Sequence, residues 1–188
     1  QQIHNWQTEP TGEIVENDLP VYSGVYSYDE QYLTINGNRA YRLTVYDELM
    51  RAPVAETIVG KCTKETVRTF LTTVLTEKPT AVITTDGRSD YPEIVEDDLN
   101  AFHHRCRFHF IKNGEKKLRK TVFQSVRYTN TEKLHGAIVW SEFKSVFAAP
   151  SYEAGLRRFE AVLDKIEHLP SELRTYVKQV MENFDRFA

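Results

Sequence analysis

Cysteine is scarce in this chain. Cys62 and Cys106 are the two among 188 residues, too few for a secreted disulfide scaffold, and they read as free thiols. Long apolar runs are missing as well. No stretch approaches the roughly 18 apolar residues of a membrane span, and the N-terminus lacks the basic and apolar parts of a signal peptide. The expectation is a cytoplasmic protein with no membrane contact. Internal repeats and low-complexity tracts are also absent. Residues 1–30 contain no lysine or arginine but six acids, Glu9, Glu13, Glu16, Asp18, Asp29 and Glu30. A net charge of −3 is a poor starting point for nucleic-acid binding, where cations neutralise phosphates.

What is present suits one large domain, or a compact domain with a sizeable insertion: 40% hydrophobic, 12% aromatic and 27% charged residues over a length that buries a real core. The average charge hides a polarity. Residues 104–127 hold eight cations, Arg105, Arg107, Lys112, Lys116, Lys117, Arg119, Lys120 and Arg127, against Glu115 alone. On charge alone, a basic binding face and a solvated helix are equally good readings.

Residues 1–20 are broken by Pro10, Gly12, Asn17 and Pro20 and read as an extended linker. Val21 to Ile35 is rich in Tyr, Val, Ser and Thr and meets Asn36-Gly37-Asn38, a hairpin turn signal. Arg39 to Asp47 is the returning strand, with Tyr41, Leu43 and Val45 on one face, and Ala52 to Val59 is a third. Thr63 and Glu65 open a helix with Val67, Phe70, Leu71, Val74 and Leu75 at helical spacing. Pro79 ends it. Ala81-Val82-Ile83 reads as a buried parallel strand closed by Thr84-Thr85-Asp86-Gly87. A short acidic helix over Tyr91 to Leu99 and a strand over His103 to Phe108 complete a β-β-β-α-β-α-β order. Beyond about residue 109 the period is helical: Leu118, Val122 and Val126, then Leu134, Ile138 and Trp140, then Leu156, Phe159, Leu163 and Ile166. Ser171 is the expected cap of a last helix whose stripe of Leu173, Tyr176, Val177, Val180, Met181 and Phe184 reads as core.

Asp is disfavoured in strands and costly to bury as a charge, so Asp29 in an aromatic-rich strand calls for an explanation, and a bound cation supplies one. Asp86 stands at the C-terminal end of the fourth strand, the edge where open α/β sheets place ligands. In this element order the fourth strand can lie beside the first, so the two carboxylates can meet. Converging carboxylates suit Mg²⁺ or Mn²⁺, and a pair of such ions supports phosphoryl transfer. The plain alternatives are an edge charge for Asp29 and a turn for Asp86-Gly87.

The segment from Tyr28-Asp29-Glu30-Gln31-Tyr32 through Asn36-Gly37 and Tyr41 to Asp47 resembles the first catalytic block of prokaryotic insertion-sequence transposases of the Asp-Asp-Glu type. Ile83-Thr84-Thr85-Asp86-Gly87 with Tyr91-Pro92-Glu93 is similar to their second block. His104-Arg105-Cys106-Arg107-Phe108-His109 resembles the Cys-x-x-His segment of mutator-like transposases. The resemblance spans about Tyr28 to Asn113. It implies an RNase H-like core of five mixed strands with helices over residues 21–114, followed by an all-helical insertion over 115–188. It further implies Asp29 and Asp86 as catalytic metal-binding acids for two Mg²⁺ or Mn²⁺ ions, with Cys106 and His109 as an accessory pair. The resemblance also implies that this insertion separates the Cys-x-x-His block from a final glutamate, so the third acid is expected beyond Ala188; the start at Gln1 and the stop inside a helical pattern are read as those of an excised piece. Zinc at Cys106 and His109, with His103 and His104 nearby, lacks the spacing of a finger and a second ligand pair; a packed Cys and a hydrogen-bonded His is the commoner arrangement.

The function so implied is metal-dependent cleavage and strand transfer of double-stranded DNA, transposon ends and target alike, by a nucleoid-associated homo-oligomer. Arg105, Arg107, Lys112, Lys116, Lys117, Arg119 and Lys120 would contact phosphates. An RNase H-like nuclease and a non-catalytic DNA-binding or assembly module are the alternatives.

Overall fold

The computed structural model describes residues 21–187; the expected linker over 1–20 lies outside them. Five strands form one sheet in the order β3-β2-β1-β4-β5: β1 (Val25–Ile35), β2 (Asn38–Asp47), β3 (Ala52–Val59), β4 (Val82–Thr85) and β5 (Phe102–Arg105). The first three make an antiparallel meander, while β4 runs parallel to β1 and β5 parallel to β4. With α1 (Lys64–Leu75) crossing from β3 to β4, this is an RNase H-like sheet.

Local chemistry accounts for the pieces. Asn36 and Gly37 both take left-handed backbone, with φ of 50° and 77°, and link the pair Ile35↔Asn38; two positive-φ residues make a turn whose twist matches that of the strands. Thr63 caps α1 by accepting from the Thr66 amide at 3.2 Å. Between β4 and β5 the acidic segment Glu93–Asp98 winds as a π-helical turn that buries Ile94 and Val95. These pack with Val67, Leu71, Leu75, Tyr26, Tyr28, Leu43, Val45 and Ile83 into one core under the sheet.

A second core belongs to the helices α2 (Arg107–Leu118), α3 (Asn130–Val146), α4 (Tyr152–Leu163) and α5 (Ser171–Met181). It is built on rings: Phe110, Trp140, Phe143, Phe159, Tyr176 and Phe187. α2 runs across the division expected at residue 114, and its Phe110 lies in the helical core, 4.7 Å from both Tyr176 and Phe187 between ring centroids. The fifth strand is shorter than its expected span, because the chain turns helical at Arg107.

The helical stripes need correction. Val126, Leu134 and Ile138 are exposed. In α3 Trp140 is buried as expected, but the face it shares is Gly136, Val139, Phe143 and Val146 rather than Leu134 and Ile138, since aromatic rings decide which face turns inward. A capping box formed by Thr129 and Glu132 starts that helix. Ser171 is not the cap of α5 but its first residue; Pro170 precedes it and no side chain caps the turn.

Candidate active site on β1 and at the end of β4

The β1–β4 ladder runs Val25↔Val82, Tyr26↔Ile83 and Ser27↔Thr84. Asp29 lies two residues beyond the last of these pairs on β1, and Asp86 two residues beyond it, just past the end of β4. Alternation along β1 puts Asp29 with Ser27, on the sheet face opposite Tyr26 and Tyr28, while Asp86 follows directly after β4. Tyr26 and Tyr28 on the α1-facing side of β1 are buried, whereas Ser27, Thr44 and Thr84 are half-buried and Asp29 and Gln31 are exposed. Asp29 makes no side-chain hydrogen bond or ion pair among the described residues. Asp86 is half-buried, and its Oδ1 accepts from the Arg88 amide at 2.9 Å. Carboxylate oxygens without a cationic partner, on a strand and just past the end of its parallel neighbour, suit a hard divalent cation. Two carboxylates do not complete a cage, and no group of three or more His, Cys, Asp or Glu among the described residues is arranged to hold a metal.

The loop bearing Asp86 is held by residues that sequence reasoning missed. Glu30, next to Asp29, points to the α1 side of the sheet, where its Oε1 accepts from Arg88 Nη1 at 2.9 Å, the Tyr91 hydroxyl at 2.5 Å, the Tyr28 hydroxyl at 3.0 Å and the Cys62 thiol at 3.0 Å. Arg88 in turn grips Asp90 through Nε at 2.8 Å and Nη2 at 2.5 Å. This fork-to-carboxylate geometry is the strong form of the ion pair. Burial and the neighbouring Glu30 raise the pKa of both Tyr28 and Tyr91; burial likewise pushes the Cys62 thiol up to about 11, so this cysteine is no nucleophile. The available signal was Glu30 itself, a charge sharing a strand face with Tyr26 and Tyr28. Such a position requires partners.

Asp47, which ends the β2 part of the first block, is a structural acid. Burial opposes its ionisation, yet hydrogen bonds from Met50, Ser23 and Leu49 hold its carboxyl below the ordinary range. It lies opposite Tyr26 near the start of β1, whereas Asp29 lies opposite Thr44.

Cys106 continues β5 beside β4, its amide donating to the Thr85 carbonyl at 2.7 Å, and stands as N-cap of α2. His109 follows in the first turn. Its Nδ1 is buried without a hydrogen-bond partner, and no side-chain hydrogen bond joins it to Cys106 among the described residues. Of the other β5 histidines, His104 Nδ1 meets Thr84 Oγ1 at 3.1 Å, and His103 Nε2 meets Thr85 Oγ1 at 2.8 Å. Burial, with Arg186 nearby, lowers the His103 pKa to about 4.

The basic run divides. Lys112, Lys116, Arg119 and Lys120 line a shallow groove with Glu115 and Gln124 along α2 and the π-helical turn after it. Lys117 lies over the Tyr176 ring at 5.9 Å, and Arg107 donates to the Phe147 carbonyl at 3.0 Å. Arg105 is apart from all of these, in a cleft with Asp86.

No family model matches the chain. It is 30% identical over 189 aligned positions to an insertion element ISM1 uncharacterized 48.3 kDa protein of Methanobrevibacter smithii. All of this chain is covered and 47% of that one, so the chain spans about half the length of its curated relative. Among solved structures, the HTLV-2 integrase catalytic core domain in complex with magnesium, in a dimeric form, is similar at 16% identity and a TM-score of 0.38, covering 61% of this chain and 85% of that one. A simian T-cell lymphotropic virus intasome in complex with PP2A regulatory subunit B56 gamma gives 10% identity and a TM-score of 0.40, covering 54% and 43%. At those scores the likeness carries no argument; the strand order rests on the hydrogen-bonded ladder. No helix among the described residues is long and apolar enough to cross a membrane.

Proposed function

We propose that this chain is the catalytic-core portion of an insertion-element DNA transposase, with Asp29 and Asp86 as two of its metal-binding acids. The observation that carries the reading is the parallel β1–β4 ladder, whose pair Ser27↔Thr84 lies two residues before Asp29 on one strand and two before Asp86 on the other; among the described residues Asp29 has no side-chain partner and Asp86 accepts from the Arg88 amide. Similarity to an insertion-element protein along the whole chain supports it.

The residues fit a hard divalent cation, Mg²⁺ or Mn²⁺. When bound, such ions supply an activated attacking oxygen and neutralise charge on the leaving oxygen in phosphoryl transfer. The chain's own part is to hold the acids. Glu30 and Arg88 fix the Asp86 loop against β1, while the β1–β2 ladder keeps the Asp29 backbone rigid. A third carboxylate is required of such a site, and we assign it to the remainder of a longer protein. Cys106 and His109 serve as supports where β5 enters α2. The groove of Lys112, Lys116, Arg119 and Lys120 takes the phosphate backbone of double-stranded DNA, while Arg107 and Lys117, engaged with Phe147 and Tyr176, stand outside it, and the complete protein works as a homo-oligomer.

Mn²⁺ titration followed by paramagnetic broadening of amide resonances tests the metal site. Broadening centred on residues 28–30 and 85–88 is expected, with the affinity falling about 100-fold in Asp29→Asn plus Asp86→Asn. Equal broadening in wild type and double variant overturns the reading. Joining of a pre-cut 3′-hydroxyl end by the full-length protein then separates a transposase from a nuclease, which nicks without joining.

A further inference from the structure

Three arginines line the cleft beside Asp86, and two of them are occupied. Arg88 is bound to Asp90 and Glu30. Arg186 is bound to Glu96 and approaches His103 Nδ1 at 3.5 Å. Arg105 has no carboxylate partner among the described residues, and its Nε is buried without any acceptor. Desolvation lowers its pKa, and the nearby Tyr176 and Asp86 offset this only in part.

The side chain is nevertheless held firmly. Its guanidinium lies 5.1 Å from the Phe110 ring centroid and 5.4 Å from that of Phe187, contacts that fix a planar fork in place. Below it is Gly87, where a Cβ would stand 2.6 Å from Arg105 Nη2; the bare backbone leaves the fork room to lie along the loop. Ser89, Gln179 and Asn183 add neutral polar groups to the same cleft. Asp86 shares it without forming an ion pair with Arg105.

We propose that this cleft is a phosphate seat, in which the Arg105 fork takes phosphoryl oxygens of a nucleic-acid strand beside the Asp86 carboxylate. An unpaired, half-buried cation is costly until an anion arrives, and a rigid guanidinium fork matches two oxygens of a phosphate. A carboxylate and a guanidinium held in one cleft but unpaired suit a phosphate that brings its own metal cation. Only that last point rests on the metal-site reading. Arg105 is thereby separated from the α2 groove: it grips one phosphate at the site, while the groove follows a backbone.

The test uses this chain with inorganic phosphate, a short single-stranded oligonucleotide carrying a 5′-phosphate, and the same oligonucleotide without it. The wild-type Arg105 Nε–H resonance should shift with phosphate and with the phosphorylated oligonucleotide. A shift with the unphosphorylated one as well identifies an internal phosphodiester as the source; a shift with free phosphate alone overturns the assignment to a nucleic-acid strand. Arg105→Gln should weaken oligonucleotide binding about tenfold or more, and Arg105→Lys, which keeps the charge but not the fork, should recover only part. Unchanged affinity in Arg105→Gln, or an unmoved Nε–H in the wild type, overturns the seat. Mg²⁺ should tighten binding in the wild type and not in Asp86→Asn. Arg105-dependent binding indifferent to Mg²⁺ upholds the seat and removes the metal-site reading instead.

Discussion

The two faces of the sheet treat adjacent acids of one strand in opposite ways. On the covered face, Glu30 accepts from four side-chain donors on β1, the β3–α1 connection and the segment that follows Asp86. On the open face, Asp29 has no side-chain partner among the described residues. A carboxylate whose oxygen is saturated by the protein holds structure together, and one left free beside a second acid is available to a ligand. The Asp-Glu pair thus splits, by strand alternation alone, into a ligand candidate and a fastening for the loop that carries Asp86.

The contrast is sharpest in stability. Glu30→Ala deprives four donors of their acceptor and is expected to cost about 3 kcal/mol in urea unfolding, with Glu30→Gln, which keeps an acceptor but not the charge, costing about 1 kcal/mol. If Glu30→Ala unfolds no more easily than Asp29→Ala, the two faces do not differ as described. A smaller effect concerns His103, which joins the sheet to the last turn of the helical region. It faces Arg186, Arg105, His104 and Glu96. Its folded pKa of about 4 lies below the roughly 6.5 of an unfolded histidine, so the unfolded chain takes up the proton first. Stability from this group is complete above about pH 6.5 and declines as pH falls toward 4. Thermal unfolding from pH 7 to 5 should show the decline in wild type, and His103→Gln should flatten it; an equal slope in both assigns the effect elsewhere. The smallest change is expected of Asp29→Asn, within about 0.5 kcal/mol of wild type, although it removes a proposed metal ligand. A loss of several kcal/mol there would make Asp29 a structural acid like Asp47.

Much of the sheet was legible because its signals are local. Asn36-Gly37 specifies its turn through two positive φ angles, Thr63 caps its helix within three residues, and the order of elements limits where β4 can go. The helical region was legible as helix but not as packing. Leu134 and Ile138 have the right spacing and are exposed, because the choice between neighbouring faces of α3 depends on how Trp140 and Phe143 meet rings from α2, α4 and α5. Arg105 was visible as one cation in a basic run; nothing local separates it from Lys112 or Lys116.

The sequence by itself determined the elements of the sheet, the turn and cap chemistry that delimits them, and the two aspartates at strand positions where an unpaired acid needs a reason. The tertiary structure alone decided that Glu30 would be saturated and Asp29 free, that Arg88 would fasten the Asp86 loop, and that Arg105 would lie unpaired over Gly87 between Phe110 and Phe187. Turns and caps depend on dihedral preferences and hydrogen bonds spanning a few residues. Partners drawn from distant parts of the chain depend on strand register and on which faces are buried, and these are settled only when the whole core closes.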